Sequence, residues 1–118
     1  MSVLVLCGAN DLRTRLIGTL EPGGDEIEFC DSVTQLITRF HRIQAAPAVL
    51  ILVIDRPDTL EALICVRDLF DGIPAIVVLT GKDPQMLRRV HTLGPRYISY
   101  DDGDLADVAA VFANLTDR

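Results

Sequence analysis

The longest apolar run in the chain, AVLILVI from Ala48 to Ile54, contains no polar residue and stops at Asp55. Because it does not alternate, it has no wet face and reads as a strand covered on both sides. Such strands belong to parallel sheets layered between helices. Four more runs accompany it: SVLVLC at 2–7, EIEFC at 26–30, PAIVVL at 74–79 and RYISY at 96–100.

Between these runs the spacing turns helical. Leu12, Leu16 and Leu20 repeat at every fourth position before the breaker EPGG at 21–24. Ser32 is placed to cap a helix with Val33, Leu36, Ile37 and Phe40 on one face. Asp58 is read as the cap of a third helix, with Leu60, Leu63 and Ile64 inward, fading before DGIP. Asp83-Pro84 opens a fourth, with Leu87 and Val90 inward and Gly94-Pro95 at its end. Asp101 to Asp104 stand at the start of a fifth, whose stripe is Leu105, Val108, Ala109 and Phe112. This alternation predicts one α/β domain over 1–118, a doubly wound five-stranded parallel sheet of order 2-1-3-4-5 flanked by five helices, flavodoxin-like in architecture. Function in such a sheet gathers outside the carboxyl ends of the strands. The residues there are Cys7 to Asp11, Val53 to Asp58, Thr80 to Asp83 and Ser99 to Asp102.

With 49% hydrophobic residues in 118, the chain can bury a core without staples. Its formal charge of −6 argues against a nucleic-acid or anionic-membrane surface, so the expected partners are proteins. Cys7, Cys30 and Cys65 are odd in number and set in apolar stretches, and are expected to be small buried hydrophobes in a reducing cytosol. There is no basic leader, no cleavage site and no bilayer-length apolar run, which leads to the expectation of a soluble cytoplasmic protein. His41 and His91 lie on helices without metal-ligand spacing, and no nucleotide-cradling glycine motif follows any strand. No metal and no cofactor are expected.

Several stretches in order, DLR after the first strand, APAVLILVI around the third, IPAIVVLTG at the fourth and LGPRYISY at the fifth, resemble the receiver domain of two-component response regulators. The likeness runs over nearly the whole length and implies a CheY-like fold. It also implies chemistry: two acidic residues after strand one hold Mg²⁺, an aspartate ending strand three accepts phosphate, a Thr or Ser ends strand four, and a lysine ends strand five. In this sequence the acidic pair falls on Cys7 and Gly8, and the phosphoacceptor position falls on Val53, counted from Pro47 or from Pro57. Thr80 occupies the hydroxyl position, and Tyr97 resembles the aromatic of strand five that often changes rotamer. The lysine has become Tyr100 or, one register on, Asp101. The resemblance thus implies the fold and a pseudo-receiver that signals by protein contact, not an enzyme.

Two other readings stay open. An irregular end to strand three could present Asp55 as phosphoacceptor, with Asp11 near the first loop; against it, Asp55 and Asp58 flank Pro57 in a turn of the kind aspartate favours. Alternatively, Cys7, Arg13 and Thr14 fit the C-x5-R-S/T loop of a low-molecular-weight cysteine phosphatase, with Asn10 at a position where that loop commonly has asparagine and Asp83-Pro84 as the acid. Asp11 inside that loop would repel both thiolate and phosphate, and only Gly8 is a glycine. Cys7 then reads as a buried strand-end thiol and Arg13 as a solvated helix residue.

Receivers commonly pair through the fourth helix, fifth strand and fifth helix. Here the fourth helix carries Arg88, Arg89 and His91, and the start of the fifth carries Asp101, Asp102, Asp104 and Asp107. A homodimer or another protein partner is expected on this face, with Tyr97 or Val111 adding apolar contact. The plainer reading leaves these charges as solvated faces with aspartates matched to the helix dipole.

Overall fold

The computed structural model describes residues 2–8, 10–20, 26–42 and 46–116; the breaker at 21–24 lies outside them. Strands β1 (Ser2–Leu6), β2 (Glu26–Cys30), β3 (Val49–Ile54), β4 (Ala75–Leu79) and β5 (Tyr97–Tyr100) form one parallel sheet in the order β2-β1-β3-β4-β5. The helices are α1 (Asn10–Thr19), α2 (Val33–Arg42), α3 (Pro57–Cys65), α4 (Pro84–Val90) and α5 (Ala106–Thr116), with short 3₁₀ turns at Arg67–Phe70 and His91–Leu93.

The pleat sorts the apolar runs into two layers. Val3, Val5, Val49, Ile51, Val53, Ile76 and Val78 pack under α1 and α5 with Leu12, Leu16, Val108 and Phe112. Their neighbours Leu4, Leu6, Leu50, Leu52, Ile54, Val77 and Leu79 face α2, α3 and α4, meeting Leu36, Leu60, Leu63 and Val90. All six residues of β3 are buried, which explains why its sequence has no polar alternation. Truncating one of its central leucines to alanine would cost about 2–5 kcal/mol.

Local chemistry fixes where the helices begin and end. Ser32 Oγ accepts from the Gln35 N–H at 3.2 Å while Gln35 Oε1 accepts from the Asp31 N–H at 2.7 Å, a reciprocal cap that starts α2. Asp83 Oδ1 accepts from the Gln85 N–H at 2.9 Å, Pro84 takes the first helical position, and the segment stops at Gly94, whose φ of 65° is left-handed. The third and fifth helices begin differently from the reading of the sequence. Arg56, not Asp58, is the N-cap of α3: as the residue before a proline it is extended (φ −146°, ψ 149°), so Pro57 sets the start and Asp58 falls in the first turn. The acidic run 101–104 is loop, because the Asp101 N–H still pairs with the Leu79 carbonyl at 3.0 Å; Asp104 then bonds the Ala106 N–H at 3.0 Å where α5 begins.

Cys7 and Cys30 are buried at 1% exposure each, on opposite faces of the sheet. Cys65, expected to be buried, is exposed at the end of α3, because it lies off the Leu60, Leu63 and Ile64 stripe. No helix among the described residues is long and apolar enough to cross a membrane.

Candidate functional site

Five parallel strands end at the carboxyl edge of the sheet. On the β1 and β3 side a cavity of about 370 Å³ is lined by Gly8, Asp31, Ser32, Val53, Asp55 and Asp58, among others. Val53 is 4% exposed, penultimate in β3 and paired in register with Val78. Asp55 lies just beyond the strand, exposed, with Arg56 Nε 3.9 Å from its Oδ1. Among the described residues, no three His, Cys, Asp or Glu side chains come together to hold a metal ion. A larger cavity, about 440 Å³, opens at the opposite end of the sheet between Arg67 and Arg96, away from these strand ends.

Cys7 packs inward with Leu12 and Leu16. Arg13 is not a solvated residue: it is half-buried, donates to Asp31 Oδ1 at 3.3 Å and lies 4.7 Å over the Phe29 ring centroid. Its side chain is engaged by Asp31 and Phe29, the residues at the end of β2, where planar stacking and a carboxylate both suit a guanidinium. The buried thiol and the occupied arginine do not form a phosphate cradle.

The β4 and β5 ends are different. The Thr80 N–H donates to the Ile54 carbonyl at 3.2 Å, and its hydroxyl reaches the same oxygen at 3.5 Å. Two residues on, the Lys82 ammonium meets Asp102 Oδ2 at 3.2 Å and sits 5.6 Å from the centroid of the Tyr100 ring. A lysine therefore does reach the end of β5, but it comes from the β4–α4 loop. Arg15 of α1 donates to the carbonyls of Asp101, at 2.9 Å, and Gly103. Neither contact was legible in the sequence: no spacing rule links Arg15 to residues more than eighty positions away.

The two tyrosines of β5 face opposite layers. Tyr100 packs against the α2, α3 and α4 layer. Tyr97 faces α5, where its hydroxyl donates to Asp107 Oδ2 at 2.9 Å beside the Ser99 hydroxyl at 2.7 Å on the same oxygen. Burial works against ionisation of Asp107, but the bonds from Ser99, Tyr97 and the Val108 N–H outweigh it and hold the carboxyl below its ordinary value. The bond to Asp107 pushes the Tyr97 phenol up, with burial and the carboxylate charge adding to it. On α4, Arg89 forms a two-pronged pair with Glu61 of α3, at 2.6 and 3.0 Å, and this bond holds the Glu61 carboxyl below its usual range. Arg88 and His91 remain exposed. Of the charges expected on the pairing face, then, Arg89 and Asp107 are engaged within the chain, and Asp104 caps α5.

No family model matches the chain, and no curated protein matches it in sequence. Solved structures do match in shape. A two-component response regulator from Clostridium difficile superposes with a TM-score of 0.80 at 17% identity, over 100% of this chain and 97% of that one. A signal receiver domain of a histidine kinase from Clostridium thermocellum gives 0.83 at 12% identity, over 99% and 98%. NtrX from Brucella abortus gives 0.76 at 18% identity over 96% of this chain, which spans only 25% of NtrX. The sheet order, the helices on both faces and these superpositions together give the fold: it is the CheY-like receiver fold of two-component response regulators.

Proposed function

We propose that the chain is a pseudo-receiver: a cytoplasmic signalling domain that acts by protein–protein contact without aspartyl phosphorylation. The observation that carries this reading is the chemistry of the β1 and β3 ends. Mg²⁺ takes oxygen ligands. The positions that the family resemblance assigns to the metal and phosphate offer a buried thiol at Cys7, no side chain at Gly8 and a buried isopropyl group at Val53. These residues do not fit the ion, and a valine accepts no phosphoryl group. What the fold retains is a switch-position hydroxyl at Thr80 and an α4, β5, α5 face with Arg88 and His91 exposed and Tyr97, Tyr100 and Val111 half-buried. That face is where a protein partner or a second copy would bind.

Incubation with acetyl phosphate and Mg²⁺ tests the reading, with intact mass as the readout. The expected result is no added phosphoryl group. A stoichiometric adduct that disappears in Asp55→Asn would overturn it and make Asp55, exposed at the rim of the 370 Å³ cavity, the phosphoacceptor.

A further inference from the structure

We propose that Arg15 is a positioning residue that clasps the β5–α5 loop to α1 and so holds the start of α5 in a backbone conformation from which it would otherwise relax. Two independent observations meet here. First, one guanidinium spans two main-chain acceptors of the loop, Asp101 O and Gly103 O. A planar fork with several donors can satisfy two carbonyls at once, and charge-assisted bonds of this kind are stronger than neutral ones. Second, Leu105, two residues further on, has φ of 63°, the one non-glycine residue with positive φ among the described residues. Left-handed backbone is disfavoured for a residue with a Cβ, and it persists where the surroundings over-determine it.

The surroundings of Leu105 do this from two sides. Its side chain is 1% exposed and packs in the α1 and α5 layer with Val108 and Phe112. Between it and β5, Asp101 is half-buried and Asp102, Gly103 and Asp104 are exposed, all outside that core. Arg15 supplies the second hold, from α1. Lys82 grips the same loop from the β4–α4 side through Asp102, but both partners of that pair are more than 60% exposed, so it is the weaker grip.

The clasp makes α1 and the start of α5 move together. Just past Leu105 comes Asp107, whose carboxylate ties α5 to Tyr97 and Ser99 of β5. Whatever draws Arg15 away from its two carbonyls frees the strained turn and loosens the α5 side of the proposed partner face. This device rests on the contacts alone and stands whether or not the chain is phosphorylated.

Hydrogen exchange tests it, read as the rate at the Ala106, Val108 and Ala109 amides divided by the rate at β1 and β3 amides, so that any change in global stability cancels. In Arg15→Ala this ratio is expected to rise roughly tenfold. Arg15→Lys keeps the charge but not the fork and is expected to show most of that rise. Lys82→Ala is expected to change the ratio by less than about twofold, since exposed pairs contribute little. An unchanged ratio in Arg15→Ala overturns the proposal, and so does full protection in Arg15→Lys, which would reduce the clasp to a nearby positive charge.

Discussion

Where β1 and β3 end, the chain sets Cys7, Gly8 and Val53, two of them buried and none an oxygen ligand, beside a cavity with Asp31, Asp55 and Asp58 on its wall; where β4 and β5 end, it sets Thr80, Lys82, Tyr100 and Asp102, polar or aromatic, with Lys82 touching both Tyr100 and Asp102. One edge of one sheet thus has a half that surrounds a cavity and a half that is cross-linked. The difference is instructive because the plan is alike in both: parallel strands, short loops and helices starting just beyond. A fold supplies the place for a reaction, but the side chains at the strand ends decide whether one occurs. Here the β1 and β3 ends surround a cavity, and at the β4 and β5 ends the loops are tied together by groups of the chain itself.

The sharpest way to break the comparison is to put a carboxylate back. Val53→Asp introduces a charge at a site 4% exposed, and an uncompensated buried charge costs on the order of 3 kcal/mol or more. Two residues on, at exposed Asp55, Asp55→Asn should shift stability by less than about 0.5 kcal/mol. Urea unfolding near neutral pH gives both numbers. If Val53→Asp unfolds at the wild-type midpoint, the position is wetter than its packing implies.

Thiol reactivity reads the same contrast without altering the fold. Cys65, exposed, should react with a maleimide at once, whereas Cys7 and Cys30 should react roughly a hundredfold or more slowly, through local opening. Burial raises the Cys30 thiol, with Arg39 pulling against it and Glu28 and Asp31 adding to it, so it is short of thiolate near neutral pH as well as inaccessible. Fast labelling of Cys7 that phosphate blocks would return the phosphatase reading.

How much of this was legible in the sequence depended on the range of the interaction. The two-sided burial of β3 and the caps at Ser32 and Asp83 follow from patterns a few residues long, the order of the sheet follows from the fold class that the strand–helix alternation implies, and the structure has them. The start of α3 was misread because Asp58 looked like a cap while the stronger constraint was Pro57 acting on Arg56. The start of α5 was misread because acidic residues suit a helix terminus, yet the Asp101 N–H was still committed to Leu79. The cross-element contacts could not be read at all. Arg13 with Asp31, Arg15 with the β5–α5 loop and Arg89 with Glu61 each join residues that only the folded sheet brings together.

The Arg89–Glu61 pair bears on the pairing face. With Arg89 held by Glu61 of α3, exposed Arg88 is the charge that this stretch offers a partner, beside exposed His91. Sedimentation of the wild type beside Arg88→Glu, at low and moderate salt, is expected to show self-association at high micromolar concentration that the substitution and the added salt both weaken. If the wild type stays monomeric throughout, the homodimer fails and the face belongs to a different protein.

The smallest expected effect is the pH dependence of the Asp107 cluster, and its sign follows from the contacts. A carboxyl more acidic in the folded chain than in the unfolded one binds fewer protons when folded. Its contribution is therefore full above the unfolded value, about 3.9 for aspartate, and is lost as pH falls through the lower folded value. The raised Tyr97 phenol acts in the opposite direction: its contribution is full below the unfolded value, about 10, and is lost as pH rises through the folded one. Asp107→Asn keeps an oxygen to accept from Ser99 and Tyr97 but removes the charge. It should lower the urea midpoint near pH 7, where the wild type has the full contribution, and leave it little changed in acid, so that the acid limb between about pH 5 and pH 2 flattens. Tyr97→Phe should flatten the alkaline limb and leave most of the acid limb, since Ser99, 3% exposed, still donates to the carboxylate. An acid limb unaltered in Asp107→Asn would mean that α5 is not tied to β5 through this carboxylate, and the cross-linked half of the edge would end at the β5–α5 loop.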